Sequence, residues 1–233
     1  MAQSFGIVED KLFEAEFFLD RLRTSSRFSY GSRYYFSAFI SAARSVTMAL
    51  QTTMKDVEGF TEWYQEAQSK LKANALARFF VEIRNDSIHK GLNPLNQVSI
   101  DHLREDMFHQ MHHRDSSHVL ILPNLQNDST MLTDAVHVST TYFVSLINVI
   151  FECYSEFRHV VDPLWYFTDE NFSAMGKSFE DAVVELGFPP EWASHAPMEG
   201  DKWRILRLHQ PSCQVNGLFQ KYIGRIIASP DDL

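Results

Sequence analysis

Arg84, Asn85 and His89 fall within six consecutive positions, and together the three side chains could handle a phosphodiester. Imidazole titrates near neutral pH without help from its surroundings, so His89 can take or give a proton. A guanidinium offers paired donors to non-bridging phosphate oxygens and stabilises the charge that builds there, the role open to Arg84. Asn85 stands four positions before His89. On a helix the two are neighbours on one face, and Asn85 can orient the ring or the phosphate. Arg84 lies one position round and reaches the same polar strip. This chemistry needs no metal and no cofactor. The structural alternative is equally simple: Arg84 and Asp86 as helix-surface charges, and His89 as a histidine favoured by the macrodipole at a helix C-terminus.

The residues that must hold this strip are helical by pattern. Leu76, Phe79, Phe80 and Ile83 recur at spacings of three and four, which gathers them on one buried face. Gly91 supplies the position that commonly stops a helix. An arginine, a polar residue, three more positions and a histidine form the motif of the HEPN superfamily, and Arg84-Asn85…His89 resembles it. The preceding stretch, residues 34–46, is similar to the helix of aromatic and small residues that comes before the motif helix in that superfamily. The resemblance covers residues 7–90 together with the long helix after 130, and is silent on the last seventy or so. It implies a helical bundle and a metal-independent endoribonuclease of a toxin–antitoxin or phage-defence type, in which a ribose 2′-hydroxyl attacks the adjacent phosphodiester of single-stranded RNA. It further implies a homodimer that pairs two motifs across a cleft, one His89 serving as base and the other as acid, and an antitoxin or regulatory protein as a further partner.

The sequence departs from one subgroup of that superfamily. Toxins paired with a nucleotidyltransferase carry a tyrosine two residues after the histidine, and here that position is Gly91. A second function class therefore stays open: a non-catalytic helical module that binds RNA, a nucleotide or a protein through the same strip. The intact motif favours the ribonuclease. The missing tyrosine and the acidic balance favour the module.

Charge constrains both readings. A net charge of −9 argues against a protein whose whole surface grips nucleic acid. Locally the balance reverses: residues 70–90 hold Lys70, Lys72, Arg78, Arg84 and Lys90 against Glu82 and Asp86, which would help a phosphate approach. A solvated helix face would carry the same charges.

With 233 residues, 45% of them hydrophobic and 22% charged, the chain can bury a real core, and its nineteen phenylalanines are mostly packing material. Cys153 and Cys213 are too few for a disulfide framework and lack metal-ligand spacing. A reducing cytoplasm is the expected setting. Glu9, Asp10, Lys11, Glu14 and Glu16 are incompatible with a secretory signal. The apolar run over residues 142–151 is about half a membrane span, so no membrane association is expected.

The expected fold is mainly α: a HEPN-like bundle of four to five helices over residues 1–160, then a small α or α+β extension over 161–233. Helices are expected over residues 7–23, with a seam of Val8, Leu12, Ala15, Leu19 and Leu22 widened by Phe13, Phe17 and Phe18, and over 32–53. Further helices are expected at about 60–68 and at 70–90. Arg44 is the lone charge in the middle of its helix, either a surface arginine laid over the bundle or a second cation near Arg84. Residues 119–123 read as a strand. Asp128-Ser129 reads as the cap of the longest helix, running to about Arg158. Past Asp162-Pro163, Asp169 is expected to cap one helix through Leu186, and Trp203, Ile205 and Arg207 alternate as in a strand. His102, His109, His112, His113 and His118 fit no zinc pattern and read as an exposed polar stretch.

Overall fold

The structure is a computed structural model of the whole chain that describes residues 4–25, 30–91, 95, 119–123, 130–195, 202–208 and 210–232. It is mainly α, a helical bundle as expected. The chain forms two compact units, one of residues 10–52 and 58–146, the other of residues 1–9, 53–57 and 147–233. The division falls inside three long helices, and the boundary expected near residue 160 lies within the second unit.

Helix α1 spans Gly6–Thr24 and α2 spans Tyr30–Met54. On α1 the seam of Val8, Leu12, Ala15, Leu19 and Leu22 is wholly buried. It is narrower than the sequence suggests, for Phe13 and Phe17 are exposed. Phe17 sits beside the stripe, edge-on to Phe18 at 5.3 Å and beneath the Arg21 guanidinium. On α2 the expected core positions Phe36, Phe39, Ile40, Ala43, Val46 and Leu50 are all buried.

Helix α3 covers Phe60–Ala73 and α4 covers Ala75–Lys90. The motif helix therefore begins later than expected, because Lys70 and Lys72 belong to the last turn of α3. Asn74 makes the break. Its extended backbone (φ −74°, ψ 114°) ends one helix while its N–H still bonds the Lys70 and Leu71 carbonyls. Its side-chain oxygen then accepts from the Leu76 and Ala77 amides at 2.9 and 3.2 Å and starts the next. Gly91 closes α4 in the left-handed region (φ 65°), where glycine alone is unstrained.

Strand β1, Val119–Pro123, pairs antiparallel with β2, Thr130–Asp134, with Val119 opposite Asp134 and Pro123 opposite Thr130. The second strand replaces the helix start expected at Asp128-Ser129. The cap is instead Asp134, whose carboxylate accepts from the Val136 and His137 amides, and α5 runs over Ala135–Glu156. By length and composition α5 is the one helix among the described residues long and apolar enough to cross a membrane. Of its most apolar stretch, 56% is buried inside the protein, as in a core helix.

Phe80 is the hub of the first unit. It stacks on Tyr142 of α5 (4.4 Å, 8°) and meets Phe39 of α2 edge-on, with Phe36 tilted against it. Such ring pairs add stability beyond the area they bury. They lock α4 between α2 and α5, and a Ser37–Ser87 hydroxyl contact of 3.4 Å ties α2 to the motif end of α4.

The second unit is built from short helices: α6 Arg158–Val161, α7 Pro163–Tyr166, α8 Asp169–Ala174, α9 Phe179–Glu185, α10 Lys202–Arg207 and α11 Asn216–Ile223. Three expectations are corrected here. The single helix from Asp169 is two, because Gly176 takes a left-handed φ of 68° and Ser178 with Asp181 forms a fresh capping box. The cap of α8 is Thr168 rather than Asp169. Trp203 and Arg207 lie on the buried face of helix α10 rather than on a strand, while Ile205 points outward at 43% exposure. Tyr166, Phe167, Phe172, Ala182 and Trp203 form the core of these helices. Arg207, itself 9% exposed, bonds the Phe167 carbonyl at 3.0 Å and is ion-paired with Asp231.

Candidate functional site

Helix α4 presents the three motif residues over its last two turns. Phe79 and Phe80 point inward, which rotates Asn85 and His89 outward, and both are exposed. Arg84 is half-buried at the edge between the two faces. One of its guanidinium nitrogens donates to the Asn85 side-chain oxygen at 3.3 Å, and its Nε is buried with no hydrogen-bond partner among the described residues. An unsatisfied charged donor is costly to bury, so the guanidinium retains capacity for an acceptor. His89 has no side-chain partner among the described residues. Lys90 turns back to Asp86 at 2.7 Å, an exposed i,i+4 pair that withdraws one cation from the strip. The structure thus joins Arg84 to Asn85 by a hydrogen bond and leaves His89 one turn on as an accessible imidazole.

Arg44 resolves into neither of its two sequence readings alone. Its guanidinium donates to the buried Thr47 hydroxyl at 2.8 Å, and it lines a cavity of about 240 Å³ to which α4 contributes Arg78 and Glu82, but not Arg84. Thr47, Tyr64, Gln68, Lys72 and Tyr142 also line the cavity. Tyr64 accepts from Gln51 Nε2 at 2.9 Å. Burial pushes the Tyr142 phenol up to about 12, against the pull of the Arg44 charge, and burial likewise raises Tyr64. Sequence reasoning singled out Arg44 and missed the tyrosines. Their aromatic rings read as core, and only the hydroxyls reach polar neighbours.

Among the described residues, no three of His, Cys, Asp and Glu are grouped to hold a metal ion. The histidine-rich stretch of residues 102–118 lies outside the described residues. Cys153 and Cys213 are both free and buried; burial pushes the Cys213 thiol up to about 12 and raises Cys153 further, so neither is a ready nucleophile.

Residues 31–105 match the family described as Bacteriophage lambda protein ea47, a stretch short of half the chain that holds nearly all of α2, the whole of α3 and α4, and so Arg84, Asn85 and His89. No curated protein and no solved structure matches the chain.

Proposed function

We propose that the polar strip of α4 is the cleavage site of a HEPN-like, metal-independent endoribonuclease that works as a homodimer on single-stranded RNA. The observation that carries this reading is the pairing of a half-buried Arg84, whose Nε lacks a partner among the described residues, with an exposed His89 that has none among them either, one helical turn beyond Asn85. In the reaction, His89 of one protomer takes the proton of a ribose 2′-hydroxyl, whose oxygen attacks the adjacent phosphorus. The bond from phosphorus to the 5′-oxygen breaks, and that oxygen takes a proton from the second copy's His89. Arg84 meets the negative charge on the non-bridging oxygens, held in place by Asn85. The ends left are a 2′,3′-cyclic phosphate and a 5′-hydroxyl. The phage origin of the matched family is compatible with a toxin–antitoxin or defence setting, in which a partner protein restrains the activity.

The test compares cells expressing the wild-type chain with cells expressing the Arg84→Ala/His89→Ala double variant, with total RNA examined alongside. Slowed growth and RNA fragments ending in cyclic phosphate, both abolished in the double variant, are expected. Equal growth and intact RNA in both, with both proteins folded, would move the function to the second reading, a non-catalytic module binding RNA, a nucleotide or a protein. One observation favours that module: the Lys90–Asp86 pair leaves the strip with less free positive charge than the sequence suggests.

A further inference from the structure

The cavity upstream of the motif has the composition of an anion site. Arg44, Lys72 and Arg78 converge on it from three helices, against the single carboxylate of Glu82, and none of the three cations is ion-paired among the described residues. Their donors rest on neutral groups. Arg44 bonds the Thr47 hydroxyl, Lys72 bonds the Gln68 side-chain oxygen at 2.8 Å, and Arg78 bonds the Lys72 and Ala73 carbonyls at 2.7 and 3.2 Å. One carboxylate against three cations leaves the cavity net positive; Lys72 and Arg78 are exposed, and the half-buried Arg44 guanidinium carries the desolvation cost. An arrangement of this kind is stabilised when an anion enters.

A second observation points the same way. Tyr142 is 4% exposed as a residue and lines the cavity beside Arg44 and Tyr64, and its hydroxyl, which makes no hydrogen bond among the described residues, is open to the cavity. A donor held at the wall of a cavity on a buried ring is placed to serve whatever acceptor enters. An anionic oxygen at the centre of the cavity would accept from Tyr142 and from the Arg44 and Arg78 guanidiniums together. The volume, about 240 Å³, is just below the usual range for drug-sized ligands and suits a phosphate carrying one sugar-sized group.

We infer that the cavity lined by Arg44, Arg78, Lys72 and Tyr142 is a phosphate-binding site, distinct from the Arg84–His89 strip. The phosphate belongs to a free phosphate ester or to a nucleic-acid chain, and the two sources differ in what else they carry. A free ester presents a dianionic terminal group, a chain only monoanionic diesters.

Isothermal titration calorimetry on the full chain would use ribose 5-phosphate, ribose as the uncharged control and a short oligouridylate without terminal phosphate. Ribose 5-phosphate is expected to bind and ribose not. Arg44→Met and Arg78→Gln should each weaken binding by about tenfold, the loss of one charge-assisted hydrogen bond. Tyr142→Phe, which removes only a hydroxyl that has no partner among the described residues and keeps the core ring, should weaken it several-fold and guards against misfolding of the arginine variants. Oligouridylate binding that falls in the same variants while ribose 5-phosphate stays silent would uphold the site with a chain phosphate as its source. Silence of both ligands at millimolar concentration, or equal affinity in wild type and all three variants, would overturn it. The Arg84→Ala/His89→Ala variant should bind ribose 5-phosphate as wild type does. Loss there would put the phosphate on the motif and overturn the cavity assignment.

Discussion

Asn74 separates the helix that carries the motif from the one before it, and the effect of removing its side chain can be worked out from two hydrogen bonds. Asn74→Ala deletes the acceptor that takes the Leu76 and Ala77 amides at 2.9 and 3.2 Å, while the backbone donation of residue 74 to the carbonyls of Lys70 and Leu71 survives. Both freed amides lie near the helix start, where water replaces part of what is lost. Replacing such a cap by alanine costs about 1 kcal/mol. In a protein of this size that lowers the melting temperature by roughly 2–4 °C. The variant would be measured by thermal and urea unfolding followed by circular dichroism, with amide exchange read at Leu76 and Ala77. Exchange at those two amides should quicken ahead of the rest of α4. Asn74→Asp and Asn74→Ser, which keep an acceptor, should recover most of the loss. The reasoning is refuted if alanine matches wild type, or if aspartate and serine do no better than alanine.

Phe80→Ala should cost about 3–5 kcal/mol, the range for a fully buried ring, because Tyr142, Phe39 and Phe36 all lose their contact with it; a loss below about 1 kcal/mol in urea unfolding would deny it the role of hub. Two carboxylates should tilt the pH profile of stability in opposite directions. Burial raises Asp162 above its ordinary 3.8, against the Leu164 amide and the Tyr154 hydroxyl, so its contribution is full below the unfolded value and is lost as pH rises through the folded one. Asp231 is held low by the Arg207 hydrogen bond, so its contribution is present above the unfolded value and is lost as pH falls through the folded one. Melting temperatures of Asp162→Asn and Asp231→Asn between about pH 3 and pH 7 should therefore diverge from wild type with opposite slopes, and parallel profiles would contradict both assignments.

Long helices with one strong apolar face were readable from the residues alone. The seams of α1 and α2 and the stripe of α5 each repeat over several turns, so no local accident can hide them. Shorter signals were ambiguous for identifiable reasons. The run from Lys70 to Ala77 is made of helix formers on both sides of Asn74, and one capping side chain against a continuous helix is a difference of about 1 kcal/mol. Asp128-Ser129 and Asp134 both have the side chain of a cap, and the choice between them is made by the pairing of β2 with β1, a partner eleven residues away at the mid-register, where Ile121 faces Leu132. Trp203, Ile205 and Arg207 alternate over five positions, too few to separate a period of two from one of 3.6. The motif was legible because its members lie on one helix. The cavity was not, since Arg44, Tyr64, Arg78 and Tyr142 come from four helices, three of them at residues that pattern assigns to a core or a solvated face.

Helix α4 connects the two polar regions. Arg78, Glu82, Asn85 and His89 follow one another at spacings of four, three and four, which is a single stripe along one side of the helix. Arg78 and Glu82 face the cavity, Asn85 and His89 lie beyond it, and seven residues of helical rise separate the corresponding members by about 10 Å. A phosphate seated between Arg44 and Arg78 is therefore too far from His89 to share its proton chemistry. It is near enough to be felt as charge where water is excluded, and is largely screened at physiological salt where water is not. Under the two proposals the same stripe holds a phosphate at one end and exposes an imidazole at the other, and they separate by variant: Arg44→Met and Tyr142→Phe test the first alone, Arg84→Ala and His89→Ala the second alone.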